Sequence, residues 1–506
     1  MSQKNQNQES FSTRWGLIVS VLGIAIGTGN IWRFPRIAAQ AGGPDGAGAF
    51  LVAWVVFLFI WSIPLIIAEY ALGRNGRKGT IGSFIALVGD KFAWMGTFVG
   101  FVATAIMFYY AVVTGWCIYY FVISATQPLP ANVHQATVIW QGFQGSAWPV
   151  ICLAVATIFG GIIVAKGISS IEKVNKVLIP VLALILIISL IKALTLSNST
   201  KGLQYLFTPD WSMLSKPRIW LEALTQNAWD TGAGWGLILT YAAYMKKKEA
   251  VTISAFQTGI GNNLVSLTAA IIIFSTVFGT LSTTMSDPQI LQIMKTSGPA
   301  STGLTFMWLP QLFLKMPAGR IFATLFFLAL TFAAFSSLIS MIELATKILV
   351  DMGVKRIKAT VTICSVGFLL GLPSALDLSF FENQDFVWGI GLMISGALIA
   401  FIIIKYNVFT FRTDLINTSP KDWTLGRWWD IIIKYIVPIE VVVLLTWWIY
   451  QSAAVFAPHT WFNPFDTYSV ATCFMQWGIA AVIFILFNKK LADLTNFDWS
   501  AKSFTK

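Results

Sequence analysis

The sequence predicts an all-α membrane protein of twelve transmembrane helices, in which a five-helix unit occurs twice and each copy opens with an interrupted helix. Three observations predict it. Of the 506 residues, 56% are hydrophobic and only 11% charged, with a mean hydropathy of +0.71, and uncharged runs near the roughly 20 residues that cross a bilayer recur along the whole chain. The basic residues gather in alternate connections, as the positive-inside rule requires. Two apolar helices are broken by glycine, at 23–35 (GIAIGTGNIWRFP) and 227–236 (NAWDTGAGWG), with five spans between their starts.

Span 1 covers 14–40 and holds the first break. A turn follows at 42–48 (GGPDGAG), and span 2 runs 49–72 with Glu69 near its inner end. Spans 3, 4 and 5 are expected at 92–124, 148–165 and 174–195. The loop between spans 3 and 4 has no Lys or Arg, which suits an outer position. Span 6, 218–245, carries the second break, with Asp230 at a depth where a carboxylate is costly. Span 7 covers 250–281 and includes Asn262, Asn263 and Ser266. The outer loop 282–317 contains apolar pieces at 290–294 and 305–313 that are too short to span and fold back on the mouth. Spans 8 to 12 follow at 320–350, 359–371, 386–404, 431–450 and 469–487. The organisation is therefore a cytoplasmic segment 1–13, a first repeat 14–195, an inverted second repeat 217–409, two further helices in 428–488, and a cytoplasmic tail 489–506.

The formal net charge of +12 is an orientation signal, and nucleic acid is not expected as a partner. Its clusters are Arg74, Arg77 and Lys78; Lys166, Lys173 and Lys176; Lys246, Lys247 and Lys248; Lys355, Arg356 and Lys358; Lys405, Arg412, Lys421 and Arg427; and Lys489 with Lys490. They place both termini in the cytoplasm of a multi-pass inner (plasma) membrane protein. Cys117, Cys152, Cys364 and Cys473 lie in apolar runs without ligand spacing and read as buried free thiols. His134 and His459 fall in outer loops. The polar start, 1–10, lacks a cleavable-signal pattern, so span 1 is expected to act as the insertion signal.

A glycine-rich break inside a span frees carbonyls and amides that lipid cannot satisfy, so it must be buried in protein or line a cavity. Freed carbonyls at half-helix ends suit a small hard cation, and half-helix N-termini suit a carboxylate. The plainer reading is glycine used for close helix packing. Two breaks at matching places in two repeats favour a site at mid-membrane.

Span 1 with its RFP ending, AEYALGR at 68–74, the break at 226–236 with LTYAAY behind it, and FAAFSSLISMIE at 332–343 together resemble the neurotransmitter:sodium symporter family, in particular its bacterial leucine-transporter-like amino-acid symporters. The resemblance covers nearly the whole chain. It implies a leucine-transporter-like fold with unwound helices 1 and 6, and coupling to Na+. A first sodium site is implied at Ala25, Asn30, Asp230 and Asn262, all oxygen donors as a hard cation requires. A second is implied at Gly23, Ile26, Ala333, Ser336 and Ser337, where ordinary hydrogen bonding between spans is the plainer alternative. Substrate contacts by the same resemblance are Ala25, Gly27, Gly29, Ile106, Tyr110, Trp229, Gly232, Trp235, Ser337, Leu338 and Met341. Gly27 stands where amine-carrying relatives have Asp, which favours an intact amino acid.

Chloride-dependent relatives hold the anion with a Tyr, a Gln, a hydroxyl and a Ser. Here Gln226 and Ser266 match, but Trp54 and Asp230 replace the Tyr and the hydroxyl. A carboxylate there would repel chloride, so Asp230 is expected to supply the negative charge, with or without carrying a proton on the return step. The outer gate resembles Arg33 with Asp385. The inner gate resembles Asp351 with Gln8, where Gln replaces the family's Arg and Phe11 its Trp, so a looser closure is expected. Glu69 is expected to accept amides freed by the span 6 break.

The reading is thus a sodium-coupled importer of an amino acid, neutral or hydrophobic, as a monomer or homodimer in the bilayer and not an enzyme. Its main rival is a carrier of an amine or other carboxylate-free solute with Asp230 as counter-ion. An integral-membrane enzyme lacks a placed His or Cys, and the second sodium motif argues against a transport-inactive receptor or channel.

Overall fold

The computed structural model describes residues 9–295 and 303–496, and every regular element among them is helical. Among the described residues, nine helices are long and apolar enough to cross a membrane: Gly48–Gly76, Asp90–Thr126, Trp148–Ala165, Ile168–Leu194, Thr252–Leu281, Gly319–Asp351, Arg356–Leu376, Leu378–Tyr406 and Trp428–Phe456. Two bent pairs, Arg14–Ala25 with Gly29–Ala41 and Val470–Leu486 with Asn488–Asn496, add two spans. The discontinuous helix Pro217–Asp230 plus Leu237–Ala242 supplies the twelfth.

Several ends differ from expectation for local reasons. Span 5 begins at Ile168, six residues early, because the basic residues read as a connection are helical: Lys176 pairs with Glu172 at 2.7 Å, four residues back. Span 9 extends to Leu376 and span 10 starts at Leu378, with only Asp377 between them. Asp377 caps the new helix by accepting the Phe380 amide at 2.9 Å, which satisfies one of the orphan donors of a helix start.

The two long helices of spans 3 and 8, 34 and 33 residues, pack along each other in the interior. Their buried faces include Ile106, Tyr110, Ser337, Leu338 and Met341. Spans 4, 5, 9 and 11 present Ile158, Phe159, Leu184, Ile187, Leu369, Ile439 and Val442 outward, the apolar surface that lipid covers. In the loop between spans 7 and 8, the apolar helix Gly303–Leu314 folds back onto the bundle. Its Phe306 stacks on Trp140 and Phe327, closing that end. At the opposite end, Asn488–Asn496 turns 60° from span 12 and is pinned by Lys78 to the Thr495 carbonyl and by Asn496 to Asp90.

Candidate substrate and ion site

The first helix of span 1 ends at Ala25. Ile26, with ψ of 93°, leaves the helix, which resumes at Gly29 with its axis turned by 53°. Span 6 breaks after Asp230, where Gly232, Gly234 and Gly236 have φ of +68°, +86° and +76°. A β-carbon is disfavoured in that region, which is why alternate residues of GAGWG are glycine. The freed amides are claimed from span 2: fully buried Glu69 accepts Gly234 N at 2.6 Å and Leu239 N at 3.0 Å. Trp235 Nε1 donates to the Ala228 carbonyl at 3.0 Å, and Asn227 Nδ2 donates to the Trp54 carbonyl at 2.9 Å. The break is therefore a built element.

Hydrogen-bond polarity fixes the chemistry of the point where the breaks meet. The Gly27 amide donates at 2.8 Å to one polar atom of the Asn30 side chain, so that atom is Oδ1. Asn30 then presents Nδ2 to Asn262 Oδ1 at 2.7 Å and to Ser266 Oγ at 2.8 Å. The Asn262 oxygen so defined lies 3.1 Å from each of the carbonyl oxygens of Ala25 and Asp230. Turning the Asn262 amide would let its nitrogen donate to both carbonyls but would set nitrogen against nitrogen at Asn30. Three oxygens converging with no proton among them fit a hard cation. Among the described residues no group of three or more His, Cys, Asp or Glu is gathered in metal-ligand fashion, so neutral oxygens carry this fit. Asn30 differs from expectation: its oxygen is spent on Gly27, which makes it a clamp across the break in this arrangement.

Asp230 also divides its roles. Its backbone carbonyl faces Asn262, while its carboxylate Oδ2 accepts from Ser266 Oγ at 3.2 Å and Gln226 lies beside it. Oδ1 is 3.0 Å from where a β-carbon on Gly29 would stand. The carboxylate thus occupies the Gln226 and Ser266 corner, and the carbonyl joins the oxygens of Ala25 and Asn262.

For the second expected ion site, Ser336 Oγ donates to the Ala333 carbonyl at 3.0 Å. Ser337 Oγ lies 3.4 and 3.3 Å from the Gly23 and Ile24 carbonyls. Between the sites, a β-carbon on Gly27 would stand 3.1 Å from both Ser337 Oγ and Tyr110 Oη. Tyr110 Oη in turn receives the Thr28 amide and meets Thr28 Oγ1, each at 3.3 Å. Thr28, a polar residue between two glycines of the break, was not singled out from the sequence. Trp229 and Trp235 meet edge to face at 5.9 Å, and a β-carbon on Gly232 would touch Ile24 at 3.3 Å.

The expected gates are arranged differently. Arg33 lies over the Trp229 ring at 5.2 Å, with Asp230 and Asp385 both in Coulombic range, but among the described residues no ion pair within 4.0 Å joins it to Asp385. A desolvated guanidinium is well served by an indole face. Asp351 accepts the Gly79 amide at 2.6 Å and pairs with Lys347; its expected partner Gln8 lies outside the described residues.

The closure at the end of the bundle that holds Glu9 to Thr13 rests on residues the sequence reading missed. Glu343 Oε2 pairs with Arg356 at 2.7 Å, Glu343 Oε1 accepts from Tyr244 Oη at 2.5 Å, and Arg356 reaches Glu9 at 3.0 Å. Phe11 is buried beside Tyr244, and Ser12 bonds Glu172 through its amide at 2.8 Å and its hydroxyl at 2.5 Å. Glu343 closes a motif visible in the sequence, but its partners lie 99 residues upstream and 13 downstream. Arg356→Ala leaves the buried Glu343 unpaired, a loss of about 3–5 kcal/mol from the closed arrangement. A cysteine placed at Ser12 is then expected to react faster with a thiol reagent added to the purified protein. An unchanged rate would show that this network does not hold the segment that carries Phe11 and Ser12.

Two discontinuous helices meeting inside a membrane bundle, with oxygens converging between them, are the arrangement of a secondary transporter. The chain belongs to the sodium:neurotransmitter symporter family, whose profile matches residues 8–143 and 142–493. It is 30% identical over 466 residues to an uncharacterized sodium-dependent transporter of Methanocaldococcus jannaschii, covering 88% of this chain and 91% of that one. It is 28% identical to the uncharacterized sodium-dependent transporter YhdH of Bacillus subtilis, covering 87% and 97%. Among solved structures it is similar to MhsT in complex with L-phenylalanine, with a TM-score of 0.75, 28% identity, and coverage of 87% of this chain and 99% of that one.

Proposed function

We propose that this protein imports a neutral or hydrophobic amino acid across the plasma membrane by sodium-coupled alternating access, without chloride, with both termini in the cytoplasm. The observation that carries the reading is the division of Asp230. Its carbonyl joins Ala25 and Asn262 in a cation cluster, while its carboxylate sits against Ser266 and Gln226. A fixed negative charge at that corner balances the sodium charge and repels a chloride ion. The hydroxyls of Tyr110 and Ser337, each 3.1 Å from where a β-carbon on Gly27 would stand, are donors suited to a substrate that brings its own carboxylate. The complex of MhsT with L-phenylalanine supports the same class. Sodium entry supplies the work, since one charge crossing 100 mV is worth about 2.3 kcal/mol.

The test is uptake of phenylalanine against phenethylamine, its decarboxylated analogue, into vesicles with an inward sodium gradient. Uptake of the amino acid alone is expected. Preference for the amine would instead make Asp230 the substrate's counter-ion. Gly27→Ala is expected to raise the KM for substrate about tenfold, because the new methyl meets two hydroxyls that must give way. An unchanged KM would place the substrate elsewhere.

A further inference from the structure

We propose that Asn175 of span 5 is a positioning residue of the second sodium site, holding the ion's outer shell through its amide oxygen. The proposal rests on the assignment of that site to Gly23, Ile26, Ala333, Ser336 and Ser337.

Asn175 is fully buried, and neither Oδ1 nor Nδ2 has a hydrogen-bond partner in the protein. A buried amide with its bonding positions unused is costly, and an apolar residue of the same volume avoids the cost. Its direction gives the reason for keeping it. Asn175 Oδ1 and Cγ lie 3.2 and 3.4 Å from where a β-carbon on Gly23 would stand, and Ser336 Cβ lies 3.2 Å from the same point. Gly23 is therefore gripped between Asn175 on one side and a second-site hydroxyl residue on the other. Its carbonyl is the one that Ser337 Oγ approaches at 3.4 Å.

Two further features belong to the same place. Ser20, one turn before Gly23 on span 1, is also buried with a partnerless hydroxyl. Pro180, inside span 5, has no amide to bond the Lys176 carbonyl, so the helix ladder next to Asn175 is open. Two spans thus bring unpaired polar groups to the flank of Gly23. The five expected ligands supply oxygens from spans 1 and 8 only. A sodium-bound water donating to Asn175 Oδ1 completes the shell from span 5, and a hydrogen bond from an ion's own water is of the stronger, charge-assisted kind.

The test is the rise in thermal unfolding temperature of the purified full-length protein as sodium gluconate replaces potassium gluconate at constant ionic strength. For Asn175→Leu, the sodium midpoint is expected to rise about tenfold, while the unfolding temperature without sodium stays the same or increases. Asn175→Asp, which keeps an oxygen, is expected to hold the midpoint at or below the native value. Ser336→Ala is the control for the site itself and is expected to raise the midpoint. If Ser336→Ala raises it and Asn175→Leu does not, the proposal is overturned and the site stands. If neither moves it, the second-site assignment falls and the proposal with it. Should Asn175→Leu fail to fold, Asn175→Ala is read in the same way.

Discussion

Asp230→Asn is expected to weaken sodium-dependent binding of phenylalanine by about a hundredfold or more, the scale on which an uncompensated buried charge is felt. The substitution keeps the shape, the backbone carbonyl that faces Asn262 and an acceptor for Ser266 Oγ. Only the charge is lost. A sodium ion held by neutral carbonyl and amide oxygens then sits in a low-dielectric interior with no fixed anion beside it, and Coulomb attraction over a few ångströms is large there. Asp230→Ser tests the same point from the other side. A hydroxyl beside Gln226 and Ser266 is expected to restore binding when chloride is present and not when gluconate replaces it. Sodium affinity that is unchanged in Asp230→Asn would show that the carboxylate plays no part in balancing the ion.

Glu69→Leu is expected to destabilise the protein strongly. Glu69 accepts the amide of Gly234 within the span 6 break and that of Leu239 in the first turn of the helix that follows it. Leucine leaves both buried amides without an acceptor, at about 1–3 kcal/mol each, in a region where lipid and apolar side chains offer no substitute. The break would then lose the geometry that presents Asp230 and Gly232. Thermal unfolding should shift down strongly and sodium-dependent phenylalanine binding should be lost, with Glu69→Gln intermediate because it keeps one acceptor. A leucine variant as stable as the native protein would mean that the amides find other partners and that the break is not held from span 2.

These two residues were visible in the sequence for a physical reason. A carboxylate inside an apolar run has few tolerable surroundings, and glycines at alternate positions in a span announce backbone that is not helical. The twelve spans and both breaks followed from hydropathy, glycine and the alternation of basic loops. What sequence could not supply was the sense of each hydrogen bond. Asn30 and Asn262 are both amides, and only the Gly27 N–H tells which end of Asn30 faces the ion cluster. The same limit applies to Asp230, whose carbonyl and carboxylate point to different neighbours. The closure around Glu343 was missed because Glu9, Tyr244 and the Glu343–Arg356 pair come from three distant parts of the chain. Arg33 and Asp385 were expected as a gate pair, but the competing indole face of Trp229 over which Arg33 lies becomes visible only once the helices are packed.

The central claim, sodium-coupled and chloride-independent amino-acid import, is tested most directly by uptake of labelled phenylalanine and, in parallel, the other nineteen common amino acids into proteoliposomes containing the purified protein. An inward sodium gradient is imposed with gluconate as the only anion. The account predicts accumulation of at least one neutral amino acid above its external concentration, abolished when potassium replaces sodium and unaffected when chloride replaces gluconate. Accumulation that appears only with chloride, or that persists without a sodium gradient, would contradict it.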